Sequence, residues 1–153
     1  MSYSAGRVKW EQAAPLLRNI REKVFICEWR IPKKVEFDQN DSNAFHMLVC
    51  DDNTQEPIAT GRILPTGEIS RIAVLMDYRR EKIDRVVLKG LLKIANEMKL
   101  PEVYIRCPLD KVPYFQKHNF HTVGNVFMEA GIPRQRMACP ITECSMAKYY
   151  LSH

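Results

Sequence analysis

Between Gly67 and Lys99 an apolar run, Ile69 to Leu75, passes through the charged turn Y-R-R-E-K-I-D-R, residues 78–85, into a segment with Ile83, Val87, Leu91, Ile94 and Met98 at helical spacing. Leu100 and Pro101 close that segment, because the residue before a proline is pushed out of helical backbone. A strand delivered through a turn to the start of a helix leaves the first helical N–H groups unpaired, and the helix dipole adds partial positive charge there. Phosphate or another anion is the natural ligand of such a junction. This turn has no glycine. Arg79, Arg80, Glu81, Lys82, Ile83 and Asp84 stand where a phosphate cradle uses glycines to let a ligand approach the backbone.

Around this unit the chain reads as helix, three strands, helix, strand, helix, two strands. Leu16, Leu17, Ile20, Val24, Phe25 and Cys27 give a first amphipathic helix over Ala13 to Trp29, which Pro32 stops. A polar loop from Lys33 to Asn43 leads to strands over Phe45 to Cys50 and Pro57 to Leu64, turning at D-D-N-T. Pro65, Thr66 and Gly67 turn the chain into Glu68 to Leu75. After the long helix come a strand over Glu102 to Cys107, a short helix over Val112 to Lys117, and strands over Phe120 to Phe127 and Arg134 to Ala138. With 153 residues, 46% of them hydrophobic, the chain suits one core, and we expect a single domain over residues 1–153 with a loosely ordered tail over about 140–153.

Charge and cysteine usage narrow the setting. A net charge of +5 favours an anionic partner. Nucleic acid is expected only weakly, since no block of basic residues with interleaved aromatics accompanies the charge. Cys27, Cys50, Cys107, Cys139 and Cys144 lack the paired spacing of a zinc site or a disulfide framework, so no metal is assigned and a reducing cytoplasm is the simplest location. The first ten residues lack the apolar core of a signal peptide, and no run approaches the about 18 apolar residues of a membrane span.

Three strings carry a family resemblance. I-A-T-G-R-I-L-P-T-G-E-I-S-R-I-A-V, V-P-Y-F-Q-K-H-N-F and F-M-E-A-G-I-P-R-Q-R-M, in this order, resemble the third and fourth strands, fourth helix and closing strands of the GNAT superfamily of acyl-CoA-dependent N-acyltransferases, bacterial branch, over about residues 12–138. The resemblance implies an α/β fold of the α+β kind: a mixed, mostly antiparallel sheet flanked by helices, its fourth and fifth strands splayed to admit a pantetheine arm. It implies acetyl-CoA as acyl donor, with backbone groups of Ile72, Ala73 and Val74 along the pantetheine and the thioester carbonyl. The family's pyrophosphate turn, Q/R-x-x-G-x-G/A, places the cofactor against Arg79, Arg80, Glu81, Lys82, Ile83, Asp84 and Arg85. Arg79 matches its first position, while Lys82 and Asp84 replace its small residues. Read from the residues alone, Asp84 or Asp77 equally well caps the helix and the basic residues form a solvated face.

The family's general acid is a tyrosine on the fourth helix; the matching position here is Phe115, with Tyr114 displaced by about 100° around the helix. An amine must lose a proton before it attacks. The candidate bases are Glu28, Asp38, His46 and Glu129, with His46 and Glu129 foremost, although a strand histidine is more often a hydrogen-bonded structural residue and Tyr114 a half-buried aromatic. Arg62 and Arg71 are expected in surface ion pairs or against an acidic substrate. The catalytic set is thus His46, Glu129 and Tyr114, transferring an acetyl group to a small-molecule or peptide amine by direct attack in a ternary complex. The alternative is a degenerate binding or regulatory module with weak or no CoA binding. A homodimer is allowed for, and the acceptor and acyl length stay open.

Overall fold

The computed structural model describes residues 1–144. Strands β1 (Tyr3–Val8), β2 (Phe45–Asp51), β3 (Pro57–Ile63) and β4 (Ile69–Val74) form one antiparallel sheet in that order, and β5 (Glu102–Pro108), β8 (Ile132–Pro140) and β6 (His121–Thr122) form a second, with β7 (Phe127–Glu129) also on β8. Two longer helices, α1 (Trp10–Arg21) and α3 (Ile83–Glu97), pack on the first sheet, and two short ones, α2 (Lys33–Glu36) and α4 (Val112–Gln116), lie at its approaches. This is the mixed α/β architecture, antiparallel strands flanked by helices, that the resemblance implied.

Strand β1 is absent from the sequence reading. Five of its six residues are exposed, so Y-S-A-G-R-V carries no alternating core face; it is held by its ladder to β2, from Tyr3 opposite Asp51 to Val8 opposite His46. The first helix also differs. It runs as α1 to Arg21 and continues as a π-helix over Glu22–Glu28, whose wider turn brings the adjacent Val24 and Phe25 both into the core. Within the expected loop lie α2 and a 3₁₀ turn at Gln39–Ser42, capped by Asp38, which accepts from the Asn40 N–H at 3.1 Å. The strand expected over Phe120 to Phe127 is two short pieces, β6 and β7. The expected tail begins with a 3₁₀ turn, Ile141–Glu143, whose first N–H donates to the Pro101 carbonyl at 3.1 Å; the rest of that expectation, residues 145–153, lies outside the described residues.

The core joins α1, α3 and both sheets through Leu17, Ile20, Phe25, Ile58, Ile72, Leu88, Leu91 and Met137, each at most 1% exposed. Helix α3 approaches its strands closely because Gly61 and Gly90 carry no Cβ. One at Gly61 would lie 2.6 Å from Val87 Cγ1, and one at Gly90 would strike the Met47 side chain. That close seating fixes where α3 begins, and so where the charged turn sits.

Candidate active site

The two sheets meet along parallel strands that touch at one point. Glu68 forms a single bridge with Tyr104, whose N–H donates to the Gly67 carbonyl at 3.0 Å. No further ladder between β4 and β5 follows among the described residues, so the strands part toward their C-terminal ends. A bulge lies just past this apex. Thr60 faces Ala73 and Arg62 faces Ser70, which leaves Gly61 opposite both Arg71 and Ile72. Arg71 takes φ 57°, a left-handed backbone that costs a non-glycine residue on the order of 1 kcal/mol or more. The bulge takes Arg71 and Ile72 out of regular pairing beside the opening.

Buried charges hold that bulge. Arg21, Arg62 and Arg71 interlock with Glu36, Asp38 and Asp41: Arg21 reaches Glu36 at 2.6 Å and Asp41 at 2.7 Å, Arg62 reaches Asp38 at 2.8 Å and Asp41 at 2.9 Å, and Arg71 reaches Asp38 at 3.3 Å and Glu36 at 3.4 Å. Arg71 also donates to the Val35 carbonyl at 3.1 Å and the Glu36 carbonyl at 3.2 Å. The expected surface ion pairs of Arg62 and Arg71 are therefore buried ones; the acids that cover them come from a segment whose polar sequence reads as loop. Burial alone would raise the Asp38 carboxyl, but the hydrogen bonds and charges of Arg62 and Arg71 outweigh it and hold it at about 2. Burial, reinforced by the Arg62 charge, lowers the Arg71 guanidinium to about 10 despite Glu36 and Asp38.

His46 belongs to this network. It is 1% exposed, packs near the Trp10 ring at 5.4 Å between centroids, and its Nε2 lies 2.9 Å from the Asp41 carbonyl. A carbonyl only accepts, so Nε2 carries the proton, and burial holds the ring's pKa below its ordinary value. Glu129 sits at the apex instead. With Glu68, Asp38, Ser70, Arg62, Arg71 and Arg106 it lines an enclosed polar cavity of about 40 Å³. Glu68 and Arg106 are members the sequence reading missed. Glu68 falls at a turn-to-strand junction and Arg106 alternates outward on a strand, so neither departs from an ordinary surface pattern.

At the other end of β4, a 3₁₀ turn over Met76–Glu81 leads into α3. Lys82 takes φ 55°, ψ 30° at the N-cap of α3, the left-handed conformation that favours glycine. Arg80, Glu81, Lys82 and Arg85 are exposed, whereas Ile83 and Asp84 are buried. The capping expectation for Asp84 and Asp77 fails, since no side chain caps α3. Asp84 lies within the first turn, 4% exposed, and its Oδ2 has no hydrogen-bond partner. Arg79 turns inward. Its Nε donates to the Val74 carbonyl at 2.9 Å, and its two Nη atoms clasp Glu28 at 2.9 and 2.7 Å. Alongside, Lys23, Glu28, Glu56 and Leu75 to Tyr78 border an open groove of about 500 Å³.

On α4, Phe115 is 8% exposed and packs edge-on against Phe120 at 5.5 Å. Tyr114 is half-buried and tilts against the His118 ring at 4.5 Å. The structure thus brings Glu129 to the cavity and keeps Ile72, Ala73 and Val74 on the strand beside the opening. It does not bring His46 there.

Parallel strands that part past one bridge, a bulge beside the gap and a turn into a helix N-terminus are the splayed architecture that the resemblance implied. The acetyltransferase (GNAT) domain model matches residues 23–141, and the chain belongs to that family. It is similar to the uncharacterized N-acetyltransferase YjcF of Bacillus subtilis (strain 168), 28% identical over 77% of this chain and 86% of the relative. The uncharacterized protein YyaT of the same organism is 30% identical over 80% of this chain and 86% of its own length. Among solved structures, an acyl-CoA N-acyltransferase from Pseudomonas aeruginosa superposes with a TM-score of 0.76 at 22% identity, over 90% of this chain and 99% of that one, a likeness of fold.

Proposed function

We propose that the protein is an N-acetyltransferase that moves the acetyl group of acetyl-CoA to a small-molecule or peptide amine by direct attack in a ternary complex. The parting of β4 and β5 beside the Arg71 bulge carries this reading, because it leaves the β5-facing edge of β4 without ladder partners where a thioester carbonyl needs hydrogen-bond donors. Ile72, Ala73 and Val74 line the pantetheine path, and residues 79–85 face the pyrophosphate, with Arg80, Lys82 and Arg85 supplying exposed positive charge. The amine arrives as an ammonium and gives one proton to a carboxylate at the apex, Glu68 or Glu129. Its lone pair then forms the C–N bond at the carbonyl carbon, the C–S bond breaks, and the thiolate takes the proton of the Tyr114 hydroxyl, which recovers the second amine proton in turn; Phe115 has no proton to give. His46, sealed under Trp10, acts by holding the network that fixes Arg71.

Five cysteines without a disulfide suit a reducing cytoplasm, and none of the described helices is long and apolar enough to cross a membrane. The test is a thermal shift with acetyl-CoA. At 100 times its dissociation constant a ligand adds about 2.7 kcal/mol, roughly 5–10 °C for a chain of this size. No shift at millimolar acetyl-CoA overturns the reading. A second reading, a module with weakened cofactor binding, draws on Asp84 in the cradle and on Arg79 occupying the Val74 carbonyl. A small or absent shift together with no acetylated product across a panel of amines favours it.

A further inference from the structure

We propose that the acceptor is a small amine cation without a carboxylate, whose ammonium takes the place that the Arg106 guanidinium holds between Glu68 and Glu129. The proposal rests on the acyltransferase reading for the word acceptor; the slot itself is read from the structure.

Charge bookkeeping around the apex isolates the slot. Arg21, Arg62 and Arg71 balance Glu36, Asp38 and Asp41 among themselves, so Arg62 and Arg71 line the cavity with their charges already answered. They offer no spare cation to an acceptor carboxylate. The remaining acids are Glu68 and Glu129. Arg106 bridges them, Nε to Glu68 at 3.0 Å and Nη1 to Glu129 at 2.9 Å. Glu129 has a second cation, Arg134 Nε at 3.9 Å, whereas Glu68 has no other ion pair among the described residues. Glu68 is 9% exposed, and a buried carboxylate without a counter-charge is costly.

A cation beside Glu68 is therefore favourable, and the cation now there is the removable kind. The Arg106 side chain is 47% exposed, in contrast to 3% for Arg62 and 8% for Arg71. It can swing to solvent without leaving a buried charge of its own. Arg106 is then an internal competitor: the apparent affinity of an ammonium for the slot is reduced by the fraction of time the guanidinium fills it. The sign of charge also sorts the two substrates. The overall charge of +5 attracts the phosphates of acyl-CoA, while the two carboxylates select a cation at the apex.

The test is calorimetric titration of the full chain with spermidine, with glycine as the zwitterionic comparison, for the wild type, Arg106→Ala and Glu68→Gln. The expected result is spermidine binding that tightens about fivefold or more in Arg106→Ala and weakens about tenfold in Glu68→Gln, with glycine binding in none of the three. Circular dichroism melts confirm that each variant is folded, and Glu129→Gln replaces Glu68→Gln if the latter is not. Weaker spermidine binding in Arg106→Ala, glycine binding that depends on Arg106, or no spermidine binding by either form overturns the proposal. An acetyl-CoA thermal shift run beside it separates the two readings. Its absence counts against acyl transfer, while spermidine binding alone decides the slot.

Discussion

Replacing Asp84 with alanine is expected both to stabilise the protein and to tighten its hold on acetyl-CoA. A buried polar atom without a partner costs about 1–3 kcal/mol, and Asp84 Oδ2 is such an atom. Against this stands the attraction of a carboxylate to the first turn of α3, about 0.3–1 kcal/mol. No capping hydrogen bond is lost, because no side chain caps α3. The net is a gain of about 1 kcal/mol, a rise of about 2–4 °C in melting temperature for a chain of this length. The effect on the cofactor follows from Coulomb's law. Two unit charges about 6 Å apart in an effective dielectric near 20 repel by roughly 3 kcal/mol, which surface screening reduces to about 1–2 kcal/mol, or roughly 5- to 30-fold in affinity. Differential scanning calorimetry and titration calorimetry read the two effects separately. A fall in melting temperature together with an affinity within about twofold of wild type would refute the reasoning, since the carboxylate would then support the turn and lie out of reach of the phosphates.

Three further outcomes are expected. Glu28→Gln frees Arg79 from its clasp and should tighten acetyl-CoA binding several-fold by calorimetry at a stability cost of about 1 kcal/mol or less; unchanged affinity means that Arg79 does not meet the pyrophosphate. Phe115→Tyr places a hydroxyl at the Phe120 contact and should lower stability by about 1–3 kcal/mol with no gain in turnover, whereas a faster enzyme would show that the ring reaches the thiolate. In acid, Asp38 is held below its ordinary value of 3.8, so its contribution is complete above that value and is lost as pH falls from about 4 to about 2. With the partial exposure of Asp38 allowed for, that contribution is on the order of 1–2 kcal/mol. His46, also lowered, adds an earlier loss, because the unfolded chain takes up its proton first as pH falls through 6.5. Urea midpoints across this range should flatten below about pH 4 in Asp38→Asn; an unchanged slope there removes Asp38 from the account.

What the sequence discloses divides along physical lines. Periodicity and breakers locate β2 to β5, α3 and α4, since each is a short apolar run or an apolar face and ends at a proline, a glycine or a polar turn. Strand β1 escapes because its residues are exposed and only a partner's backbone makes it a strand. The charged turn before α3 is legible in its place, yet not in its conformation, because nothing in a run of charges announces that Lys82 adopts a glycine's backbone. The apex is the least legible part. Glu36, Asp38, Asp41, Arg62, Arg71 and His46 look like polar residues of loops and strands, and only the tertiary fold turns them inward together. Glu129 was found from its place before the A-G-I-P turn; its partners Glu68 and Arg106 lie 61 and 23 residues away in sequence and have no local mark.

The Arg71 side chain has a mechanical consequence. It anchors the bulge on β4 to the carbonyls of Val35 and Glu36, so a residue whose backbone borders the opening is tied to the segment that also supplies Asp38 to the cavity wall. The two walls of the opening are thereby tied through one side chain.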